Sequence, residues 1–270
     1  MERPAWAPRS IDISMPSVAR MYDYYLGGSH NFEVDREAAR KAMEFMPGLP
    51  KIMQANRAFM RRAVRYAAGS GITQFLDIGS GIPTFGNVHE VAQDASPGAR
   101  VVYVDHDPVA VAHSQAVLKG NDDTDVVAAD LRKPREILTS PHVERLIDLN
   151  RPVALLLVAI LHFVEDTDDP YGAVAELRDA LAPGSVLVVS HASYEGIPLP
   201  QERAEGAVDV YKDIRNPLIM RSRGEIARFF EGYDMVEPGV VPMAKWRPDT
   251  APEDEDPYAF SAFVGVGTKA

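Results

Sequence analysis

Cysteine is absent from this 270-residue chain, and long apolar runs are missing as well. The absence of cysteine excludes disulfide bonds, thiolate metal ligands and a cysteine nucleophile, although it does not identify the cellular compartment. The longest apolar run, from Val153 to Leu161, has only nine residues, whereas a membrane-spanning helix needs about 20. We therefore expect no membrane-spanning segment.

Positive charge is also scarce. The chain has 28 Lys and Arg residues against 39 Asp and Glu residues, and its formal net charge is −11. This balance argues against nucleic acid or an anionic membrane as the main partner, although a local basic patch could still exist. No apolar stretch typical of a signal peptide follows Met1. We therefore expect a cytoplasmic protein that binds neither nucleic acid nor a membrane.

Beyond Gly69, short apolar runs alternate with helical patterns. Strands are predicted at 74–78, 100–104, 125–128, 153–158 and 185–190, and helices at 87–95, 108–119, 134–148 and 171–182. This alternation is typical of an α/β fold with a parallel sheet and helices on both faces. Right-handed crossovers place the carboxyl ends of the strands along one edge of the sheet, where ligands bind.

The two ends of the chain show other patterns. Residues 1–16 are rich in proline and predict an arm, and Glu253–Asp256 predict a solvated acidic loop. The region 197–231 is irregular and interrupted by prolines. Further helices are predicted at 17–25, 35–45 and 51–68, and closing strands at 233–236, 240–243 and 261–268.

A glycine-rich turn follows the first predicted strand. Residues 75–81 read Phe-Leu-Asp-Ile-Gly-Ser-Gly, and the next apolar run ends at Asp105. This pattern indicates a nucleotide-binding β-α-β unit, because glycines allow close backbone approach and the acid can bind a ribose diol. A dinucleotide fingerprint would place Gly or Ala at position 84, which is Thr84. Asp77, two residues before the first glycine, instead favours an amine-bearing cation, S-adenosylmethionine.

Acidic residues at the next strand ends suit the same cofactor. Asp105 can accept hydrogen bonds from both ribose hydroxyls. Asp107 is the alternative ribose ligand, but before Pro108 it more naturally caps the next helix. Asp130 can accept from the adenine amino group while Leu131 packs on the ring. The predicted cofactor-binding residues are Tyr22, Tyr25, Arg57, Asp77, Gly79, Ser80, Gly81, Asp105, His106, Asp130, Leu131 and Ala159.

Several of these residues have alternative interpretations. Tyr22 and Tyr25 either close over the cofactor or pack their helix against the sheet. Arg57 can pair bidentately with the methionyl carboxylate, whereas Arg61, Arg62 and Arg65 are interpreted as a solvated face. The partner that a buried Asp77 needs is either the cofactor amine or the backbone amides of the glycine turn.

Two histidines are candidate general bases. His162 and His191 follow the fourth and fifth strands and would therefore lie near the ligand edge. The alternative is a structural role for each of them. No metal site is predicted, since His89 is followed at the zinc-motif spacing by Gln93 rather than by a second histidine.

The ordered set of Asp77, Gly79, Gly81, Asp105 and Asp130 resembles the S-adenosylmethionine-dependent methyltransferases with a seven-stranded Rossmann-like sheet. Four further segments resemble an actinobacterial family long catalogued as a domain of unknown function and now called S-adenosyl methyltransferase. They are Ser17 to Phe32, Asn56 to Phe59, Gly81 to Thr84 and Asn87 to Val91. The resemblance runs nearly end to end and implies the fold and the cofactor, but no established substrate.

The resemblance implies one methyltransferase domain over residues 1–270. Within it we expect a helical cap at 1–70, a cofactor-binding core at 71–192, and substrate-side helices with closing antiparallel strands at 193–270. We expect the substrate pocket to be built from residues 1–50 and 194–225.

The expected function is methyl transfer to a small-molecule acceptor through an oxygen or nitrogen nucleophile. A general base is needed only when that nucleophile must lose a proton. The alternatives are a non-catalytic protein that binds S-adenosylmethionine or S-adenosylhomocysteine, and an NAD-dependent oxidoreductase. The oligomeric state is left open.

Overall fold

A computed structural model of the chain describes residues 12–84, 86–195, 200–212, 214, 217–249 and 261–270. Most of the predicted amino-terminal arm and the acidic loop at 253–256 lie outside the described residues. Within these residues, eight strands form one sheet in the order β3-β2-β1-β4-β5-β8-β6, and β7 pairs with β8. The strands are β1 (Gln74–Ile78), β2 (Arg100–Asp105), β3 (Thr124–Ala128), β4 (Ala154–Val158), β5 (Val186–Ala192), β6 (Tyr233–Met235), β7 (Val241–Pro242) and β8 (Ala262–Lys269).

This sheet confirms the predicted Rossmann-like architecture. Strands β1 to β5 are mutually parallel, and β8 runs antiparallel between β5 and β6. Seven strands lie along the main path, and the two-residue β7 is an additional strand that pairs with β8. The parallel order places the carboxyl ends of β1, β2, β4 and β5 side by side.

Helices cover both faces of the sheet. They are α1 (Val18–Tyr25), α2 (Glu33–Phe45), α3 (Leu49–Gly69), α4 (Val88–Ala95), α5 (Pro108–Val117), α6 (Pro134–Leu138), α7 (Pro141–Leu146), α8 (Pro170–Ala180), α9 (Gln201–Lys212) and α10 (Arg223–Arg228). None of these helices is both long and apolar enough to cross a bilayer.

Alternating side chains of the central strands form two separate cores. On β1, Phe75 packs with one buried cluster and Leu76 with the other. The first cluster includes residues of α1, α2, α3 and α9, whereas the second includes residues of α8 and α10. Strands buried on both faces read as continuous apolar runs, and for this reason their positions are visible in the sequence.

The expected single helix at 134–148 is two helices. Ser140 is extended, with ψ at 134°, and Pro141 begins α7. Proline removes a backbone donor and disfavours helical geometry at the residue before it. The sequence prediction was wrong here because it followed apolar spacing across this proline.

The turn after α1 is held by a buried carboxylate. Asp23 accepts hydrogen bonds from the His30 amide at 2.9 Å and from the Asn31 side chain at 2.8 Å. Gly28 lies against this carboxylate, and a Cβ atom at Gly28 would lie 2.0 Å from Oδ1 of Asp23. The turn therefore needs glycine at this position.

Gly28→Ala is expected to destabilise the protein by about 1–3 kcal/mol, because the added methyl group must displace the Asp23 carboxylate from its hydrogen bonds. Urea unfolding followed by circular dichroism measures this difference. Gly69→Ala is the matched control, since a Cβ atom there has no neighbour within 4 Å. An unchanged unfolding midpoint for Gly28→Ala would contradict the steric argument.

Candidate active site

A cleft opens at the carboxyl edge of the sheet, between the strand ends and helices α1, α3 and α9. An adjoining recess shares Gly79, Asp105 and His106 with the cleft and is lined by Asp130 and Leu131. The structure thus brings every predicted site residue to one contiguous region. Those that line the main cleft are Tyr22, Tyr25, Arg57, Asp77, Gly79, Ser80, Gly81, Asp105, His106, Ala159, His162 and His191.

The backbone amides of the glycine turn after β1 donate hydrogen bonds to other groups of the protein. The amides of Gly79 and Ser80 donate to the Val104 carbonyl at 2.8 and 3.2 Å, and the Gly81 amide donates to Oδ2 of Asp105 at 2.7 Å. Gly81 has a φ of +68°, and a Cβ atom there would meet nothing within 4 Å. The turn therefore leaves open space for a ligand close to its backbone.

Asp77 is buried in the cleft floor, with 6% of its surface exposed. No described residue donates a hydrogen bond to its carboxylate, and the alternative partners, the amides of the glycine turn, donate elsewhere. Burial raises the pKa of Asp77 from 3.8 to about 7, which nearby Arg57 opposes and Asp105 reinforces. A cationic ligand group would supply the partner that this carboxylate lacks.

Asp105 is buried at the end of β2 with both oxygens already anchored. Oδ1 accepts from the Asp107 amide at 2.8 Å, and Oδ2 accepts from the Gly81 amide at 2.7 Å. Burial raises the pKa of Asp105, while the Asp107 amide opposes that rise. Each carboxylate oxygen has further acceptor capacity, so the anchored side chain can still accept from two hydroxyl groups.

Asp107 has the helix-capping role that the sequence favours. Its Oδ1 accepts from the Val109 amide at 2.7 Å at the start of α5. Its Oδ2 accepts from the Ser17 hydroxyl, and Arg20 lies 3.7 Å from the same oxygen. The amino-terminal segment thereby contacts the loop that carries Asp105.

Two donors in the cleft wall lack partners. Arg57 donates through Nη2 to the Asn87 side chain at 3.2 Å and to the Gly86 carbonyl at 3.4 Å. Its Nε is buried without a hydrogen-bond partner among the described residues, and so is Oγ of Ser80. Both residues line the cleft, and the guanidinium charge of Arg57 suits an acidic ligand group there.

The interpretation of Arg61, Arg62 and Arg65 as a solvated face is wrong for Arg62. Its Nε donates to the Trp246 carbonyl at 2.9 Å and its Nη2 to the Met243 carbonyl at 3.2 Å. Arg65 is exposed and pairs with Asp249, whereas Arg61 is half-buried. The segment that contains Met243, Trp246 and Asp249 packs over this face of α3. The residue spacing along α3 does not predict this contact.

Asp130 pairs with Arg132, which the sequence reasoning did not single out. The Nη2 atom of Arg132 lies 2.6 Å from Oδ2 of Asp130 and its backbone amide lies 2.9 Å from Oδ1. Burial would raise the pKa of Asp130, but the hydrogen bonds from Arg132 outweigh it and the pKa is lowered. Leu131 is buried beside it in a recess that Ile160 and Phe163 also line.

A chain of hydrogen bonds crosses the cleft wall. The Ala159 amide donates to Oγ of Ser190 at 2.9 Å, and this hydroxyl donates to Oδ1 of Asn56 at 2.6 Å. Nδ2 of Asn56 donates to the Tyr22 hydroxyl at 2.9 Å, which in turn donates to the Met53 carbonyl at 3.3 Å. The chain holds Ala159 at a φ of +57°. Sequence reasoning missed Ser190, and it named Asn56 only within the segment Asn56 to Phe59 that resembles the family.

Both candidate histidines have hydrogen bonds within the protein. Nδ1 of His191 lies 2.7 Å from the Ala192 carbonyl and its Nε2 lies 2.9 Å from Arg221, so both ring nitrogens are occupied. Burial lowers the pKa of His191 to about 3. Nδ1 of His162 accepts from the Ala192 amide at 3.3 Å, which assigns the ring proton to Nε2. These contacts favour the structural alternative, and a base role stays a prediction.

Tyr25 and Tyr211 meet in the cleft, with their hydroxyl oxygens 3.0 Å apart. Burial raises the pKa of both phenols, that of Tyr211 to about 12. Tyr22 and Tyr25 each pack on neighbouring residues and also line the cleft, and their closing over the cofactor stays a prediction.

Comparison with known proteins assigns this chain to a family. The family described as S-adenosyl methyltransferase matches residues 4–270. A candidate methyltransferase from Thermobifida fusca YX is 41% identical over 98% of this chain and 99% of that one, with a TM-score of 0.91. A DUF574 family protein from Streptomyces avermitilis MA-4680 is 40% identical over 96% and 99% of the two chains, also with a TM-score of 0.91.

A more distant match is to a chain in a complex between the methyltransferase activator Trm112 from Haloferax volcanii and a candidate methyltransferase. It is 18% identical over 87% of this chain and 95% of that one, with a TM-score of 0.51, and shows likeness of fold alone. A comparison with curated proteins found no match. On the strength of the end-to-end family match and the two structures at 40% identity or more, the chain belongs to the S-adenosyl methyltransferase family and is an S-adenosylmethionine-dependent methyltransferase.

Proposed function

We propose that this methyltransferase acts on a small-molecule acceptor with an oxygen or nitrogen nucleophile, and that the cleft is its active site. The observation that carries the assignment of the site is Asp77, a buried carboxylate in the cleft floor to which no described residue donates a hydrogen bond. A carboxyl group in such surroundings either keeps its proton or gains a cationic partner. The amino group of S-adenosylmethionine provides one.

The remaining residues fit the other parts of the cofactor. Arg57 offers its guanidinium charge to the methionyl carboxylate, and Ser80 lines the same part of the cleft. Asp105 offers acceptors to the ribose hydroxyls, and Asp130 with Leu131 forms an adenine recess beside His106. Gly79, Gly81 and Ala159 shape the backbone around these groups.

When bound, S-adenosylmethionine supplies an electrophilic methyl group on a sulfonium centre. The chain must then align the acceptor and exclude water, which are the main contributions an enzyme makes to such a displacement. His162 lines the cleft with its proton assigned to Nε2. It is therefore suited to donate a hydrogen bond that orients the acceptor rather than to remove a proton.

Calorimetric titration of the protein with S-adenosylmethionine, S-adenosylhomocysteine and NAD tests the site. We expect saturable binding of the first two with a stoichiometry near one and no measurable binding of NAD. NAD binding in preference to the other two ligands would contradict the assignment of the cleft and revive the oxidoreductase alternative. The one-domain organisation and the cytoplasmic location predicted from the sequence are kept as parts of this proposal.

A further inference from the structure

Beyond the proposed cofactor-binding residues, the cleft continues into a space that we call the acceptor chamber. Its described lining is contributed by α3, α9, the segment after β4 and the loop before α10. The residues that define the chamber are Met53, Phe163, Val208, Tyr211, Leu218 and Met220.

The sheet order places the carboxylates of the cleft at β1 and β2, and the chamber begins beside them, because Phe163 follows β4, which pairs with β1. Asp105 ends β2 and Asp77 lies one residue before the end of β1. On the other side, β5 and β8 contribute Ser190 and Ala262, and Ala159 directly follows β4. Neighbouring strands lie about 4.8 Å apart, so β8 lies roughly 19 Å from β2 across the sheet. The carboxylates therefore occupy one end of the cleft.

The chamber itself carries no charge on its described lining. Among the described residues that line the whole cleft, the Asp, Glu, Lys and Arg side chains are Arg57, Asp77, Asp105 and Asp107. All four belong to the glycine turn, its neighbouring strand end or the wall beside them. A charged group buried among these described residues would thus find no counter-ion among them, and its desolvation would oppose binding.

The polar groups of the chamber are neutral hydrogen-bond donors. In the Tyr25–Tyr211 pair one hydroxyl donates to the other, so the pair keeps one O–H proton that is not used within it. His162 adds an Nε2 proton, because its Nδ1 accepts from the Ala192 amide. Both groups line the cleft and are suited to a ligand oxygen that accepts hydrogen bonds.

We propose that the acceptor chamber binds an uncharged, largely apolar ring compound that carries a hydroxyl group, with the ring between the methionine and aromatic side chains and the oxygen at the tyrosine pair or His162. Methionine side chains adapt to irregular apolar ligands, and aromatic rings pack well on Phe163. This inference rests on the proposed function, because it identifies the acceptor class of the same cleft.

Three probes with the same ring and different charge test the inference on the full chain saturated with S-adenosylhomocysteine. They are 1-naphthol, which is neutral, 1-naphthoate, which is anionic, and 1-naphthylmethylamine, which is cationic at pH 7. Calorimetric titration is expected to show that 1-naphthol binds at least tenfold more tightly than either charged probe.

A substitution that fills the chamber localises the binding. Val208→Trp is expected to weaken 1-naphthol binding at least tenfold while the affinity for S-adenosylhomocysteine changes less than twofold. Glu202→Trp is the matched control, since it places the same indole at an exposed position of α9 and is expected to leave both affinities unchanged. Leu218→Trp fills the chamber from the opposite loop and replaces Val208→Trp if that variant does not fold.

Three outcomes would overturn the inference: equal or tighter binding of a charged probe, no binding of 1-naphthol to the S-adenosylhomocysteine complex, or 1-naphthol binding that neither chamber variant weakens. Failure of the proposed function has a different signature. In that case the wild-type protein would not bind S-adenosylhomocysteine at all, with or without the ring compounds.

Discussion

Asp77→Asn is expected to stabilise the ligand-free protein at pH 8 by about 4 kcal/mol and, at the same pH, to weaken its binding of S-adenosylmethionine. The stability gain follows from burial, which raises the pKa of Asp77 from 3.8 to about 7. A difference of about three pH units in pKa between the unfolded and folded states corresponds to about 4 kcal/mol. Asparagine has nearly the same shape and no charge, so it removes this cost.

The stability that Asp77→Asn gains over wild type increases with pH. Below pH 3.8 the carboxyl group is protonated in both states and costs nothing. As pH rises towards about 7, the unfolded chain releases the proton while the folded protein keeps it, so wild-type stability declines. The advantage of Asp77→Asn is thus about 2 kcal/mol at pH 5 and reaches its full value above pH 7.

Urea unfolding of wild type and variant at pH 5 and pH 8 measures this difference. Asp130→Asn is the control with the opposite sign, since hydrogen bonds from Arg132 lower the pKa of Asp130 and its charge stabilises the folded state at pH 8. A destabilising effect of Asp77→Asn at pH 8 would mean that the carboxylate has a stabilising partner in the ligand-free protein.

The effect of Asp77→Asn on S-adenosylmethionine binding is measured separately, by the affinity at different pH values. A hydrogen bond between charged groups contributes about 1.5–3 kcal/mol, so loss of the Asp77 charge is expected to weaken S-adenosylmethionine binding by roughly 10- to 100-fold at pH 8. Wild-type affinity should also fall as pH decreases below about 7, because Asp77 must lose its proton to pair with the ammonium group. Asp77→Asn is expected to show no such fall between about pH 7 and pH 5, where the ligand ammonium group stays protonated, and a variant that keeps the wild-type slope would exclude Asp77 as the partner.

Asp105→Ala is expected to reduce the affinity for S-adenosylhomocysteine by roughly 10²- to 10⁴-fold, because two hydrogen bonds from ribose hydroxyls to a carboxylate contribute about 3–6 kcal/mol together. The substitution also removes the acceptor for the Gly81 and Asp107 amides. The glycine turn and the start of α5 therefore lose their common anchor.

A ligand that lacks one hydroxyl separates these two effects. Wild type is expected to bind the 2′-deoxy analogue of S-adenosylhomocysteine at least tenfold more weakly than the parent compound, whereas Asp105→Ala is expected to bind both equally, as a double-mutant cycle requires for a direct contact. Asp107→Ala is the control on the same loop. It should lose stability through its helix cap, by about 0.5–2 kcal/mol, and keep the discrimination between the ligands. Loss of discrimination in Asp107→Ala alone would make Asp107 the ribose ligand.

The expected substrate pocket was only partly placed by sequence. Val208, Tyr211 and Leu218 fall within the predicted region 194–225, and all three line the chamber. Met53 and Met243 also line the cleft but lie outside both predicted regions. Their contribution depends on the packing of α3 and of the carboxy-terminal segment, which local composition does not reveal.

The sequence by itself determined the sheet and the order of the acidic residues along its edge. Buried parallel strands are continuous apolar runs, and a nucleotide site places its glycines and carboxylates directly after such runs. Asp77, Gly81 and Asp105 are therefore recognisable from their local surroundings alone. Only the tertiary structure decided their partners and the roles of the polar residues around them.

Those partners come from distant parts of the chain. Tyr25 meets Tyr211 across 186 positions, and Ser190 meets Asn56 across 134. His191 looked like a candidate base at a strand end, yet Arg221 and the Ala192 carbonyl occupy its ring nitrogens. A hydrogen bond between side chains depends on where packing places two segments, and burial then decides which groups keep a charge. The residues next to a side chain in the sequence reveal neither which distant segment packs against it nor how deeply it is buried.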